Sequence, residues 1–309
     1  MSGSSGNPEL LVFVAVAVFP RPGVRKFGKD ARSLLIMVVI HPTVMVHPDA
    51  RIHPDAVVGP MCHIGAHARI GRGTRLVSHV WVEERTVIGD DNTVYPFAGL
   101  GGPAQTRAPE GAVQAPLVIG DRDRIRESAT IHRGSTESSG TRIGDDCLVM
   151  TCAHIAHDCV IGNSVVVTTG TSVAGHCHVG DFANISAHVI VTQHRHIGAH
   201  AFIAAAAKVD RDVPPYTIAQ GNDTLRIRGI NLMGLRRRGF PPNTVHHLTA
   251  AVRTWTTRTD LSRQQRLEQM THDHGHIPEA ETLITFLAAR STPAPRSHKP
   301  PQDTPAPML

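Results

Sequence analysis

An aliphatic residue recurs at every sixth position along most of the chain, and this period is the strongest pattern in the sequence. It holds for ten hexads from Val46 to Leu100, for three from Ile119 to Ile131 and for twelve from Ile143 to Val209. A period of six fits neither the 3.6-residue repeat of a helix nor the alternation of a long strand. Three hexads make one triangular coil, so residues eighteen apart stack through parallel strands. The pattern predicts a mainly β protein, a left-handed parallel β-helix of hexapeptide repeats.

Glycine and small residues occupy two further fixed places in the repeat. Glycine repeatedly follows the aliphatic residue, as in Ile64-Gly65 and Ile161-Gly162, where a corner requires close approach between backbones. Small residues recur four places after the aliphatic one, where a narrow prism leaves little room. Cys159 and Cys177 take this place on successive coils and are predicted to fill the core. Aromatic residues make up only 4% of the chain, so small and β-branched side chains must do the packing.

The repeat divides the chain into four segments. Residues 1–39 carry none of the pattern, and we interpret them as an N-terminal extension that is disordered or results from an upstream start. The β-helix is predicted over 40–213, with loops at about 101–118 and 137–142 where the period breaks. A helical C-terminal domain is predicted over 214–291, and a Pro-rich, disordered tail over 292–309. Helix-compatible apolar spacing occurs at 225–238, 244–257, 261–270 and 279–289.

Charge and cysteine content limit the possible partners. The net charge of +5 is spread along the chain, which argues against nucleic-acid binding. The apolar run from Leu10 to Phe19 is about half of what spans a bilayer and follows no basic segment, so we expect no transmembrane segment. The five cysteines form no CxxC pair, which favours a cytoplasmic location.

The candidate chemistry lies in the segment 153–159, which holds two histidines and a carboxylate. His157 is followed by Asp158, and a carboxylate neighbour can hold one histidine tautomer and make it a better general base. In a chain with 21 histidines, a surface histidine without a role is the alternative. On the next coil, Gly175 offers a backbone N–H for an oxyanion, and we expect His176 to lie almost directly over His157.

The hexad pattern is shared by many unrelated acyltransferases. A second set of motifs in this chain is more specific. It comprises Arg-Glu-Ser-Ala-Thr-Ile-His-Arg-Gly at 126–134, Ala-His-Ile-Ala-His-Asp-Cys at 153–159, Val-Pro-Pro-Tyr at 213–216, Ile-Ala-Gln-Gly-Asn at 218–222, Asn231 with Gly234 and Leu235, Arg-Arg-Gly-Phe at 237–240 and Ala-Arg-Ser-Thr at 289–292. Together these motifs resemble the UDP-N-acetylglucosamine O-acyltransferase family of lipid A biosynthesis. The resemblance covers about residues 40–292.

The resemblance implies a direct acyl transfer. In that family a histidine deprotonates the glucosamine 3-hydroxyl, and the alkoxide attacks the thioester of a 3-hydroxyacyl chain on acyl carrier protein. The chain is then expected to form a homotrimer with active sites between neighbouring prisms. No metal or other cofactor is implied, since the acyl donor is carried on the phosphopantetheine of the carrier protein.

The resemblance also implies residue roles. His157 is expected to be the base, Asp158 its support and Gly175 the oxyanion donor. The residues implied in substrate binding are His154, His176 and Gln193 at the sugar nucleotide, His132 in the cleft, Asn231, Arg237 and Arg238 at the nucleotide end, and Ala205 as the small residue that limits acyl chain length. Arginine pairs suit phosphate through bidentate bonds. Without the resemblance, arginines at a helix C-terminus are more often solvated.

Three places depart from the family pattern. The family's first loop carries Pro-Gln-Asp-x-Lys-Tyr, whereas this chain has Thr106 where the acid is expected and no assured counterpart of the lysine. Thr192 replaces a histidine, and Met233 replaces an acidic residue. These departures leave open a related hexapeptide enzyme that acts on another nucleotide sugar or uses acyl-CoA.

Two other functions also remain as hypotheses. His176 and His194 are eighteen apart and should stack, either as a ladder without chemistry or as part of a metal site between subunits. A γ-class carbonic anhydrase would use His176, His188 and His194, but the expected His-x4-His spacing is missing in the right register. A non-catalytic scaffold is the last alternative, and the retention of His157 and Asp158 argues against it.

Overall fold

The structure is a computed structural model, and it describes residues 39–107, 115–136 and 140–289. The predicted tail and all of the predicted extension except Val39 lie outside the described residues. The described chain winds into a triangular prism of short strands, followed by four helices. The prediction of a left-handed parallel β-helix with a C-terminal helical region is confirmed.

The three faces of the prism are three sheets, because each strand of the prism pairs in parallel with the next strand on the same face. In chain order the strands are β1 (Val39–Ile40), β2 (Met45–Val46), β3 (Arg51–Ile52), β4 (Val57–Val58), β5 (His63–Ile64), β6 (Arg69–Ile70), β7 (Arg75–Leu76), β8 (Trp81–Val82), β9 (Val87–Ile88), β10 (Thr93–Val94), β11 (Gly99–Gly102), β12 (Leu117–Ile119), β13 (Arg124–Ile125), β14 (Thr130–His132), β15 (Thr141–Ile143), β16 (Leu148–Val149), β17 (His154–Ile155), β18 (Val160–Ile161), β19 (Val166–Val167), β20 (Ser172–Val173), β21 (His178–Val179), β22 (Asn184–Ile185), β23 (Ile190–Val191), β24 (His196–Ile197), β25 (Phe202–Ile203), β26 (Lys208–Val209), β27 (Thr217–Gln220) and β28 (Arg226–Ile230). Sheet A contains β1, β4, β7, β10, β13, β16, β19, β22, β25, β27 and β28, sheet B contains β2, β5, β8, β11, β14, β17, β20, β23 and β26, and sheet C contains β3, β6, β9, β12, β15, β18, β21 and β24.

The prism has three edges, which we name by the sheets they join. The chain turns from sheet A to sheet B at the AB edge, from B to C at the BC edge and from C to A at the CA edge. Both predicted loops fall between a strand of sheet B and the next strand of sheet C, the first insertion between β11 and β12 and the second between β14 and β15. Residues 108–114 and 137–139 of these loops lie outside the described residues. Both breaks in the six-residue period therefore occur at the BC edge.

The hexad residues form the core, as predicted. From Val58 to Val209 every aliphatic residue of the repeat is buried. Val46 is 39% exposed because it lies on the first coil, at the open end of the prism. Cys159 and Cys177 are fully buried, which confirms that they fill the core.

The glycines of the repeat serve close backbone approach rather than a left-handed conformation. A Cβ added at Gly71 would lie 2.2 Å from the carbonyl oxygen of Gly89 on the next coil. The left-handed residue of a turn comes two places later and usually carries a side chain, for example Asp158 (φ 60°) and His176 (φ 61°). This conformation is costly for residues with a Cβ, so coil stacking must stabilise it.

Sheet A continues past the boundary at 213 that the sequence suggested. β27 and β28 form an antiparallel pair, so residues 226–230 are a strand and the prediction of a helix there is wrong. Gly229, with φ 144°, is incompatible with a helix. The helices are α1 (Leu232–Arg237), α2 (Pro242–Thr257), α3 (Arg263–His274) and α4 (Pro278–Ala289). They enclose a second core around Leu235, Leu248 and Met270. Within the described ranges, no helix is both long and apolar enough to cross a membrane.

Candidate active site

His157 and Asp158 form a buried pair in the turn after β17, on the BC edge. His157 Nδ1 lies 2.6 Å from Asp158 Oδ2, and the side chains are 8% and 1% exposed. An ionised carboxylate only accepts hydrogen bonds, so Nδ1 carries the proton and Nε2 keeps its lone pair. Nε2 makes no hydrogen bond to any residue that the structure describes. The pair therefore has the arrangement of an oriented general base.

Gly175 lies directly over His157, because Ile155 pairs with Val173 and the stacked residues are eighteen apart. A Cβ added at Gly175 would lie 2.6 Å from His157 Cε1 and 2.8 Å from His157 Nε2. The absence of a side chain thus makes room for the imidazole. No described residue accepts a hydrogen bond from the Gly175 N–H. This N–H remains available to a developing oxyanion next to the base.

His176 is not over His157, as the sequence suggested, but over Asp158. The reason is the register: the stacking offset is eighteen residues, and His176 is nineteen after His157. His176 Nε2 lies 3.6 Å from Asp158 Oδ2, and its ring meets the His157 ring edge-on at 5.1 Å. Burial lowers the pKa of His176, and Asp158 partly opposes that shift. His176 is therefore a neutral hydrogen-bonding group at neutral pH.

The predicted histidine ladder is present, but the three proposed carbonic anhydrase ligands do not meet within one protomer. His176 and His194 stack with ring centroids 4.7 Å apart, whereas His188 lies on the AB edge. Among the described residues, the group with metal-ligand spacing is His157, Asp158 and His176, with ligand atoms within 4.8 Å of one another. The direct hydrogen bond between the first two already accounts for their close approach.

His132 and His154 extend the site across sheet B. Their rings meet edge-on at 4.9 Å, and His154 Nδ1 lies 2.8 Å from Thr130 Oγ1. Burial, together with the neighbouring His154 and His157, lowers the pKa of His132 to about 4. Burial also lowers the pKa of His154. His132 Nδ1 has no hydrogen-bond partner among the described residues. Both rings are therefore neutral polar surfaces beside the base.

The other predicted binding residues are distributed over different edges. Gln193 is exposed on the BC edge one coil beyond Gly175, while Ala205 is exposed on the AB edge. Arg237 and Arg238 are exposed at the end of α1, and the Arg238 guanidinium lies 4.3 Å from the centroid of the Phe182 ring, at the CA edge. A single protomer does not gather these residues around His157.

Asn231 has a structural task that the sequence did not reveal. Its Oδ1 accepts a hydrogen bond from the Gly234 N–H at 3.1 Å, which caps α1. Its Nδ2 donates to the His200 carbonyl oxygen at 2.9 Å. Asn231 therefore fixes the helix that carries the arginines against the prism.

The three substituted positions have different surroundings. Thr192 Oγ1 donates to the Val209 carbonyl oxygen at 3.0 Å, so this hydroxyl is bonded within the coil. Met233 is 59% exposed on α1. Thr106 is exposed in the first insertion.

Sequence reasoning missed Ser135, which lies in the second insertion. Ser135 Oγ donates to Asp158 Oδ2 at 2.6 Å, and the Ser135 N–H donates to Oδ1 at 3.0 Å. It also missed Thr141, whose hydroxyl accepts from the Asp158 N–H at 2.9 Å. An insertion has no period, so the repeat could not place Ser135 over Asp158. For Thr141 a weak signal existed, since it precedes the first aliphatic residue of the resumed repeat by two places.

Comparison with known proteins agrees with this architecture. The model of the bacterial transferase hexapeptide (six repeats) matches residues 37–72. The model of UDP N-acetylglucosamine O-acyltransferase, domain 2, matches residues 212–295. The fold and these repeats define the protein as a hexapeptide-repeat transferase.

Full-length relatives narrow this class. The acyl-[acyl-carrier-protein]–UDP-N-acetylglucosamine O-acyltransferase of Caulobacter vibrioides is 44% identical over 216 residues, which cover 70% of this chain and 81% of the relative. The UDP-N-acetylglucosamine O-acyltransferase structure from Moraxella catarrhalis matches with a TM-score of 0.76 and 37% identity, over 81% of this chain and 96% of that one. The Francisella novicida UDP-N-acetylglucosamine acyltransferase matches with a TM-score of 0.76 and 35% identity, over 80% and 90%. The chain belongs to the acyl-[acyl-carrier-protein]–UDP-N-acetylglucosamine O-acyltransferase family.

Proposed function

We propose that the protein transfers a 3-hydroxyacyl chain from acyl carrier protein to the 3-hydroxyl of UDP-N-acetylglucosamine, the first step of lipid A biosynthesis. The observation that carries this proposal is the buried His157–Asp158 pair beneath Gly175, whose N–H has no acceptor among the described residues. An acyl transfer to an alcohol needs a base for the hydroxyl and a donor for the oxyanion. Family membership supports the choice of donor and acceptor.

The chemistry follows from the tautomer of His157. Nε2 takes the proton of the sugar hydroxyl while the hydroxyl oxygen attacks the thioester carbonyl carbon. The carbonyl oxygen becomes an oxyanion, which the Gly175 N–H stabilises. The carbon–sulfur bond then breaks, and the proton passes from Nε2 to the leaving sulfur. Asp158 stays ionised throughout and stabilises the transient imidazolium through Nδ1. The products are the acylated sugar nucleotide and the free thiol of the carrier.

The surrounding residues are proposed to bind the substrates. His132, His154 and His176 are neutral at pH 7 and offer hydrogen bonds to sugar hydroxyls without the cost of burying a charge. Gln193 is proposed to contact the sugar nucleotide, while Arg237 and Arg238, held by the Asn231 cap, bind its diphosphate end. Ala205 is proposed to limit the length of the acyl chain.

A homotrimer is proposed because one protomer leaves the site incomplete. His157 lies on the BC edge, whereas the arginines of α1 lie near the CA edge. A neighbouring prism that packs its CA edge against the BC edge brings both sets together. Co-expression of His157→Ala and Arg238→Ala chains tests this arrangement. Mixed trimers should regain activity that neither variant has alone, and a lack of recovery in intact mixed trimers would contradict a shared site.

The reaction as written contains no step that requires a metal or other cofactor, since phosphopantetheine arrives with the acyl donor. We place the reaction in the cytoplasm, where the five free cysteines would remain reduced.

The substrate assignment is tested by incubating the protein with UDP-N-acetylglucosamine and a panel of 3-hydroxyacyl carrier proteins of different chain length. Mass spectrometry should detect acylated UDP-N-acetylglucosamine. Matched reactions contain the same acyl groups on coenzyme A or replace the acceptor by UDP-glucose or UDP-N-acetylgalactosamine. Product formed only in a matched reaction would reject the assigned pair and favour the related enzyme that Thr106, Thr192 and Met233 left open.

A further inference from the structure

Ser135 holds both carboxylate oxygens of Asp158. Its Oγ donates to Oδ2 at 2.6 Å and its backbone N–H donates to Oδ1 at 3.0 Å. These two bonds constrain both the position and the plane of the carboxylate. Asp158 Oδ2 at the same time accepts the bond from His157 Nδ1. The orientation of the imidazole thus depends on a carboxylate whose own orientation depends on Ser135.

Asp158 needs such support because of its backbone. It is the left-handed residue of its turn, with φ 60°. Its N–H donates to Thr141 Oγ1 at 2.9 Å, which fixes the main chain but not the side-chain torsions. A hydrogen bond to an ionised acceptor is about twice as strong as a neutral one, so the two bonds from Ser135 are well suited to this task.

Ser135 is itself held in place by the first insertion. The Gly134 N–H donates to the Ala115 carbonyl oxygen at 3.1 Å, and the Ala115 N–H donates to the Thr136 carbonyl oxygen at 3.0 Å. Ala115 is 5% exposed. The residues on both sides of Ser135 are therefore hydrogen-bonded to the buried Ala115, and the serine cannot move without breaking these two bonds.

We propose that Ser135 is a positioning residue for the acyl transfer, which it serves by orienting Asp158 and through it His157. The proposal rests on the proposed role of His157 as general base. It assigns a function to Ser135 at the start of the second insertion, which interrupts the repeat one coil before the base.

The test compares Ser135→Ala, Ser135→Thr and His157→Ala by steady-state kinetics over a range of pH. Ser135→Ala should lower kcat by about tenfold to a hundredfold, because small misplacements of a catalytic group have effects of this size. KM for the sugar nucleotide should change little. The acidic limb of kcat/KM should move to higher pH, since a carboxylate that has lost a donor attracts the imidazolium proton more strongly. Ser135→Thr keeps the hydroxyl and should restore most of kcat.

Ser164→Ala is the matched control. Ser164 lies in a turn on the CA edge, away from His157, where it is a left-handed residue (φ 54°). Its replacement should leave kcat and the pH profile unchanged. If Ser135→Ala matches this control while His157→Ala is inactive, the positioning role is wrong and the general base stands. If His157→Ala itself keeps its activity, the proposed function fails instead.

A second measurement does not depend on turnover. The proton shared between His157 Nδ1 and Asp158 Oδ2 should give a low-field proton resonance in the wild type that is absent from His157→Ala. Loss or broadening of this signal in folded Ser135→Ala, and its return in Ser135→Thr, would support the proposal. An unchanged signal in Ser135→Ala would overturn it.

Discussion

The CA and BC edges are built from the same kind of turn, but they differ in how the backbone N–H groups of the turn are hydrogen-bonded. Side chains cap these N–H groups on the CA edge, whereas the corresponding N–H groups at the candidate site on the BC edge are uncapped. On the CA edge, the N–H two places after the aliphatic residue is capped by a side chain of the next coil. The distances are 2.7–2.9 Å for the pairs Arg72–Asp90, Asp90–Asp121, Asp121–Asp145, Asp145–Asn163 and Asn163–Asp181. Each carboxylate or amide thus satisfies the backbone of the coil before it.

On the BC edge the same three positions are His157, Gly175 and Gln193. Gly175 has no side chain to cap the His157 N–H, and its own N–H is not capped by Gln193. The His157 imidazole occupies the space that a side chain at position 175 would fill. The candidate site therefore lies where the repeat lacks a stabilising hydrogen bond and where a backbone N–H is available beside a base.

Among the substitutions that test this difference between the two edges, Gly175→Ala should have the largest effect. The new Cβ must displace the His157 ring, which it would approach to 2.6 Å. We expect kcat to fall by about a hundredfold to a thousandfold, the range seen when an oxyanion site is disturbed. Steady-state kinetics and thermal unfolding of the same preparation measure both consequences. Wild-type kcat in a folded alanine variant would show that the open position is not needed.

Asp123→Asn tests the interior of the CA edge. Thr74 Oγ1, Asn92 Nδ2 and Cys147 Sγ each donate to a carbonyl oxygen of the next coil at 2.7, 2.8 and 3.1 Å. Asp123 occupies the same column, but its buried Oδ2 has no partner within the described residues. Burial, together with the neighbouring aspartates, raises its pKa from 3.8 to about 7.

The sign of the pH effect follows from this raised pKa. The folded state holds the Asp123 proton more tightly than the unfolded state, so this contribution to stability is complete below about pH 4 and is lost as pH rises through about 7. The shift corresponds to at most about 4 kcal/mol. Asn supplies a permanent donor, so Asp123→Asn should melt higher than wild type at pH 8 and about equally at pH 4. Parallel melting curves with the same pH dependence would contradict this account.

Asn163→Ala removes one cap from the CA edge. The Asp145 N–H then loses its acceptor, and we expect the free energy of unfolding to fall by about 1 kcal/mol. Because the CA cap is remote from His157, kcat should stay within about twofold of wild type. Urea unfolding and steady-state kinetics check the two parts. A large loss of kcat at unchanged stability would break the distinction between the edges.

Gln193→Ala should have a similarly small effect, confined to substrate binding. If its exposed amide contacts the sugar nucleotide, loss of one neutral hydrogen bond should raise KM for that substrate by roughly threefold to tenfold and leave kcat unchanged. Initial rates at varied acceptor concentration measure this. A fall in kcat with constant KM would instead place Gln193 in the chemical step.

The fold was predictable because burial in a β-helix repeats with a strict period, and each coil contacts only its neighbours. The pair of His157 and Asp158 was also predictable, since adjacent residues in one turn must lie together. Ser135 was not, because its position depends on the path of an insertion. The strand at 226–230 was read as a helix because its pairing with β27 is a tertiary effect that overrides apolar spacing. The bond that holds Asn231 to the prism was hidden for the same reason, since its acceptor, the His200 carbonyl oxygen, lies on a distant turn.

The most direct test of the central claim is kcat/KM of His157→Ala relative to wild type, with carrier-protein donor and UDP-N-acetylglucosamine, on preparations of equal thermal stability. Removal of an oriented general base should lower kcat/KM by about a hundredfold to ten-thousandfold. A value within about threefold of wild type would show that the hydroxyl loses its proton elsewhere, and would contradict the assignment of the BC edge as the catalytic centre.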